Sequence, residues 1–130
     1  ARAAEIAAGA GGIEAPLARW FDDSQSDLRD QVAGWLRGVS PAGYAAAYRA
    51  FAEGDGVYAE RLGAVRCPLL VLTGDGDANS TPEMTRAMAA MAPHGRAVVI
   101  AGHRHMVNLT APEAVTAELQ RWLETEETLA

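Results

Sequence analysis

A chain of 130 residues is one domain's worth of polypeptide, and its 49% hydrophobic and 22% charged content is that of a soluble globular protein. The net charge of −6 repels a nucleic-acid backbone, and no basic stripe offsets it. A single cysteine excludes an internal disulfide, no apolar run reaches the about 18 residues of a membrane helix, and the amino end has no signal-peptide core. The expectation is a cytoplasmic protein with neither nucleic acid nor membrane among its partners.

Arg2 to Ala8 and Leu17 to Phe21 read as short helices on either side of a breaker formed by Gly9 to Gly12 and Pro16. Leu28, Val32, Trp35, Leu36 and Val39 recur at helical spacing and predict one apolar stripe on a helix from about Asp27 to Gly38. Ser40 has the character of an N-cap with Pro41 at the first helical position. Tyr44, Tyr48 and Phe51 then share a face until Gly54, and a last turn or two covers Val57 to Leu62.

Composition changes at about Gly63 to Pro68. Leu69 to Leu72 and Ala97 to Ile100 are continuous apolar runs, as expected of parallel strands covered on both faces. Between them Thr81 caps a helix with Pro82 at its start, and Met84, Met88 and Met91 are expected to form its buried stripe until Pro93. Thr110 with Glu113 three residues later reads as a capping box, and Val115, Leu119, Trp122 and Leu123 line the final helix. The fold class is therefore α/β, a partial doubly wound parallel sheet (βαβα) preceded by a helical segment. The boundaries are 1–65 for the helical segment and 66–130 for the βαβα part. Two strands leave open edges and bare apolar faces, so further strands are expected from a complementary polypeptide or from a second copy of the chain.

In an open α/β sheet, reactive groups gather beyond the carboxyl ends of the strands. The first strand runs into Thr73-Gly74-Asp75-Gly76-Asp77 and the second into Ala101-Gly102-His103-Arg104-His105-Met106. A carboxylate there can hold the tautomer of an imidazole whose other nitrogen deprotonates a nucleophile. Asp77 and His105 are the candidates, with His103 as the alternative base.

No residue is a convincing nucleophile. Gly38-Val39-Ser40-Pro41-Ala42 imitates a Gly-x-Ser-x-Ala elbow, but an elbow must follow a strand, and helix periodicity precedes Ser40. Cys67 precedes its strand and reads as a buried structural thiol. Asp75, Asp77 and Asn79 open like a calcium loop, yet Ser80 stands where glycine is required and Arg86 where the closing glutamate belongs. His103 and His105 have no acidic cluster around them, so no metal or other cofactor is expected. Asp75 reads as a turn residue, His103 as solvent-facing or in contact with the helical segment, and Arg104 as a surface charge or a lid contact.

Cys67-Pro68-Leu69-Leu70-Val71-Leu72-Thr73-Gly74-Asp75-Gly76-Asp77, followed by Ser80-Thr81-Pro82-Glu83-Met84, resembles the acid-bearing segment of the α/β-hydrolase superfamily. Gly102-His103-Arg104-His105-Met106-Val107-Asn108-Leu109, then Ala111-Pro112-Glu113-Ala114-Val115, resembles its histidine-bearing segment. Arg19-Trp20-Phe21 and Gly43-Tyr44-Ala45-Ala46-Ala47-Tyr48 are similar to the cap of members near 3-oxoadipate enol-lactone hydrolase. The resemblance implies that residues 1–65 are a cap or lid, that Asp77 is the triad acid and that His105 is the triad base. It also implies a small ester or lactone substrate, with Trp20, Tyr44, Tyr48 and Phe51 available to wall its pocket. Nothing here corresponds to the family's nucleophile or oxyanion hole, which lie upstream of its cap. The chain by itself is expected to be inactive. The competing reading is a non-catalytic interaction module, or a homo-oligomer, with an incidental Asp/His pair.

Overall fold

The computed structural model describes residues 12–54 and 56–127, so the helix expected over Arg2 to Ala8 lies outside the described residues. The elements run α1 (Glu14–Trp20), a 3-10 turn (Asp23–Gln25), α2 (Ser26–Arg37), α3 (Pro41–Gly54) and a second 3-10 segment (Ala59–Ala64). They continue as β1 (Leu69–Gly74), α4 (Pro82–Met91), β2 (Gly95–Ile100), α5 (Val107–Thr110) and α6 (Pro112–Glu127). Pro16 does not break α1. It sits in the first turn, where no intrahelical partner exists for the N–H it lacks.

The helix starts follow local chemistry. Ser40 Oγ accepts from Gly43 N–H at 3.3 Å and Thr81 Oγ1 from Met84 N–H at 3.3 Å, each with proline at the next position. Asp22 closes a capping box with Gln25 around the first 3-10 turn. The start of α6 differs from expectation: the Thr110 hydroxyl is engaged by His103 Nδ1 at 2.9 Å, and the helix begins at Pro112, after Ala111.

Among the described residues the sheet is two-stranded and parallel, with Leu69 opposite Gly95 and Gly74 opposite Ile100. Both strands therefore stop at the same rim. They extend past their apolar runs to Gly95 and Gly74, each of which lies at a close backbone approach. A Cβ at Gly95 would lie 1.9 Å from the Ala89 carbonyl oxygen of α4, and one at Gly74 would lie 2.3 Å from that of His103. The expectation that both faces are covered is not met, since Leu69 to Leu72 and Ala97 to Ile100 are only half-buried. An open apolar cavity of about 450 Å³ separates β1 from α6, lined by Leu70, Leu72, Val115, Leu119 and Trp122 among others. Cys67 is exposed at its edge and is not the buried thiol expected.

The methionine stripe has the right period on the wrong face. Met84, Met88 and Met91 are 49%, 42% and 42% exposed, while Thr85 and Ala89, one position on, are buried. Small side chains let α4 lie close on the strands, and the methionines lean instead over a groove shared with Gly54, Tyr58 and Leu62. Trp35 and Val39 are likewise exposed, and Val32 with Ala33 makes the inner face of α2. Leu119 and Leu123, expected on the covered face of α6, are exposed as well.

A cluster of buried apolar side chains lies in the helical segment. Leu17, Phe21, Val32 and Ala33 are buried together, with Ile13, Trp20, Leu28, Leu36, Met106 and Leu109 packed against them. Two of those residues, Met106 and Leu109, come from the chain that follows β2.

Two glycine substitutions separate close approach from backbone entropy. Gly74→Ala is expected to destabilise by about 1–3 kcal/mol or more, because its Cβ meets the His103 carbonyl, which cannot swing away as a side-chain tip would. Gly34→Ala, in the exposed middle of α2 with nothing within 4 Å of the added carbon, is expected to stabilise by about 0.5–1 kcal/mol. Urea unfolding of the two variants should give shifts of opposite sign.

Candidate active site

Beyond the rim, the chain after β1 turns back on itself and the chain after β2 crosses over it. Asp75 N–H donates to the Ile100 carbonyl at 2.9 Å, and Gly102 N–H donates to Asp75 Oδ1 at 2.9 Å. Gly76 N–H donates to the His103 carbonyl at 2.9 Å. Gly102 adopts φ +78°, the left-handed conformation glycine reaches most cheaply, and this turns the second chain toward the first. Asp75 is thus a turn residue that also ties the two strand ends together.

Asp77 is buried, with 3% of its side chain exposed, and its carboxylate is heavily engaged. Oδ1 accepts from the N–H groups of Asn79 at 2.7 Å and Ser80 at 2.9 Å. Oδ2 lies 2.9 Å from His105 Nδ1 and 3.1 Å from the hydroxyl of buried Thr73. That hydroxyl also reaches the Ser80 carbonyl at 2.8 Å and shares its single proton between the two acceptors. Burial pushes the Asp77 pKa up, but the Ser80 N–H, the His105 ring and the Asn79 N–H together outweigh it and hold the carboxyl below its ordinary value. The group is therefore an anion at neutral pH, aimed at an imidazole.

His105 keeps 32% of its side chain exposed. With Nδ1 on the carboxylate, Nε2 is the nitrogen available to a reacting group. The Trp20 ring lies against the imidazole, centroids 5.7 Å apart and planes tilted by 32°.

The structure thus brings Asp77 and His105 together and leaves His103 apart, its Nδ1 on Thr110. The two histidines serve different partners and do not converge on a shared ligand site. Arg104 is a contact to the helical segment, donating to the Ala18 and Phe21 carbonyls at 2.8 and 2.9 Å. Of the serines, Ser24 bonds Asp22, Ser40 caps α3, and Ser80 supplies main-chain groups to the acid turn. The Tyr44, Tyr48 and Phe51 rings form a ladder along α3 with centroids 6.1 and 6.2 Å apart, and Phe51 is exposed.

Four contributors are not singled out by the sequence analysis: Thr73, Asn79, Ser80 and Trp20 in its contact with His105. Thr73 carries a signal, a polar residue directly after an apolar run. Asn79 and Ser80 carry one too, since Asp-x-Asn-Ser is an Asx-turn pattern whose carboxylate binds N–H groups two and three residues on. The placement of Trp20 against His105 spans most of the chain and carries none.

Three comparisons bear on this arrangement. The model of the alpha/beta hydrolase family matches residues 1–119, and the chain belongs to that family and has its fold. Over 115 residues it is 55% identical to the (E)-2-((N-methylformamido)methylene)succinate hydrolase of Acinetobacter baylyi, covering 87% of this chain and 44% of that protein. The solved structure of a thermophilic esterase from Thermogutta terrifontis, with malate bound, is similar at a TM-score of 0.84 and 30% identity. That match covers 95% of this chain and 47% of the esterase. The chain spans slightly less than half the length of either relative.

The acid's environment predicts a pH dependence. Unfolded, the carboxyl titrates at its ordinary value of 3.8, and folded it titrates lower, so the unfolded state takes up the proton first as pH falls. The stabilisation is complete above the ordinary value and is lost as pH falls through the folded one. Asp77→Asn is expected to be less stable than the parent above about pH 5, with the gap narrowing below about pH 4. Urea unfolding in pH steps checks this, and a constant gap across the range contradicts it.

Proposed function

We propose that this chain supplies the acid and base of a Ser-His-Asp hydrolase acting on ester- or lactone-type carbonyl bonds, with Asp77 as acid and His105 as base. The single observation that carries the proposal is the 2.9 Å contact between a buried, hydrogen-bonded carboxylate and Nδ1 of a half-exposed histidine. Residues 1–65 act as the cap and 66–130 as the carboxyl-terminal part of the core.

The nucleophile and the oxyanion hole come from outside this stretch of chain. That reading is supported by the share of each relative that the chain spans, 44% and 47%, and by the half-covered sheet with its apolar cavity beside β1. In the assembled site a serine oxygen attacks the carbonyl carbon while His105 Nε2 takes its proton. Asp77 keeps Nδ1–H in place and stabilises the imidazolium. Backbone N–H groups stabilise the oxyanion. His105 then passes the proton to the leaving oxygen, and water repeats the sequence to free the acid.

The names of the relatives support a narrower substrate class. One is named for a succinate derivative carrying an amide, and the other was solved with malate, so two dicarboxylate skeletons stand beside this chain. A small carbonyl compound bearing carboxylates is the substrate class we favour, and an enamide of that class belongs in the assay beside simple esters.

A second reading has one observation in its favour. The open apolar cavity of about 450 Å³ beside β1 would also suit self-association of a non-catalytic module.

Hydrolysis of p-nitrophenyl acetate, with and without a serine-directed phosphonate, separates the two readings. The chain alone is expected to show negligible turnover. Joined to a segment carrying the nucleophile, it is expected to turn over with phosphonate sensitivity and to lose about 10⁴-fold in kcat on Asp77→Asn. Activity of the joined protein that survives His105→Ala would remove the proposal.

A further inference from the structure

The two residues flanking His105 both bind the end of one helix. Arg104 Nη1 donates to the carbonyls of Ala18 and Phe21, and Met106 N–H makes a long contact of 3.5 Å to that of Trp20. These are carboxyl-terminal carbonyls of α1, which have no partner within their own helix and which a guanidinium, with its fixed fork of donors, is well suited to satisfy. The same helix end carries the indole that lies against the His105 imidazole. The histidine is therefore flanked in sequence by two residues that contact the end of α1, and its ring lies against a side chain of α1.

We infer that Arg104 is a positioning residue for His105, acting by seating the end of α1 so that Trp20 bears on the imidazole. The catalytic meaning of this rests on the function proposed above, but the contact itself does not. The direction of action follows from what holds each group. His105 Nδ1 is fixed by Asp77, which sits on the turn after β1, and the Gly74 and Gly76 backbone supports the chain just ahead of it. Those ties set where the ring is attached and which nitrogen faces the acid. They leave the ring a hinge about its single hydrogen bond.

Trp20 closes that hinge. Its own N–H is buried and has no partner among the described residues, so no hydrogen bond of the indole sets its position. The indole is held by the helix that carries it and by the apolar cluster of Leu17, Phe21 and Met106 beneath. Moving the end of α1 moves the wall against which the histidine rests. Arg104 makes the strongest polar link across that junction, with two charge-assisted bonds of 2.8 and 2.9 Å. A merely structural arginine would add stability to the junction without altering the environment of the ring.

Nuclear magnetic resonance on the 130-residue chain tests the link without any activity. The ring-proton lines of His105, assigned by their loss in His105→Gln, carry the ring-current shift of Trp20, and Trp20→Leu gives their positions without it. Arg104→Gln is expected to move the lines more than half of the way to those positions. Arg104→Lys, which keeps a charged donor, is expected to bring them back at least part of the way. In the protein joined to its nucleophile-bearing segment, Arg104→Gln is expected to lower kcat by about 10- to 100-fold with KM unchanged.

Lines that stay put in Arg104→Gln but move in Trp20→Leu overturn the inference, as do lines that move in neither. So does an unchanged kcat in Arg104→Gln. If the joined parent protein is inactive, the proposed function fails, and the resonance lines still decide whether Arg104 holds Trp20 on His105.

Discussion

Burying a carboxylate is costly unless its oxygens find donors, and the site is organised around how Asp77 finds them. Two of the donors are backbone N–H groups of its own turn, one is the hydroxyl that ends β1, and the last is the imidazole. The first three come from β1 and its turn and are present whatever the rest of the chain does. The fourth must be delivered from the other strand. The acid is therefore preorganised, with one lone pair aimed at the point where His105 arrives, and the histidine's orientation follows from completing a set that is otherwise nearly full.

Delivery depends on backbone contacts that admit no side chain. The chain after β2 crosses directly over Gly74, with its carbonyl accepting from Gly76, and Gly102 takes the left-handed turn that points it there. Parallel pairing puts both strand ends on one rim, and the glycines bring the two loops together above it. Parallel topology alone would leave Asp77 and His105 as neighbours on a sheet edge. The glycine contacts convert that neighbourhood into a hydrogen bond.

The acid turn and the histidine loop are legible in the sequence because both are local. A strand and a glycine-rich turn fall within a few consecutive residues, and the motif surrounding His105 is equally compact. The helix starts at Ser40-Pro41 and Thr81-Pro82 are legible for the same reason. Face assignment is less so. Met84, Met88 and Met91 share a period with the buried set Thr85 and Ala89, and hydrophobicity favours the methionines. Close packing of α4 on the strands needs small side chains, so geometry overrides hydrophobicity by one position around the helix. Thr110 shows the same limit. Its spacing from Glu113 satisfies the capping pattern, but a histidine seven residues earlier, invisible to that pattern, takes the hydroxyl. The pairing of Trp20 with His105 and the reach of Arg104 to α1 join residues more than eighty positions apart, and no periodicity encodes such pairs.

The distribution of buried surface gives the Asp–His contact a further property. A buried apolar cluster joins α1, α2 and the chain after β2, whereas the strands are only half-covered. Asp77 travels with the sheet, because its turn is bonded to β1. His105 travels in part with the helical segment, because Arg104 and Met106 on either side of it are anchored to α1. The hydrogen bond between them spans two packing units, and its length reports the registry of one against the other. At about 25 cal/mol per Å² of apolar surface removed from water, whatever covers the open face of β1 stabilises the sheet and therefore the acid's side of this contact. The helical segment already secures the His105 side within the chain itself. On the function proposed above, completing the site consists of fixing the half-covered sheet against the helical segment, with Asp77 and His105 already in contact at the boundary.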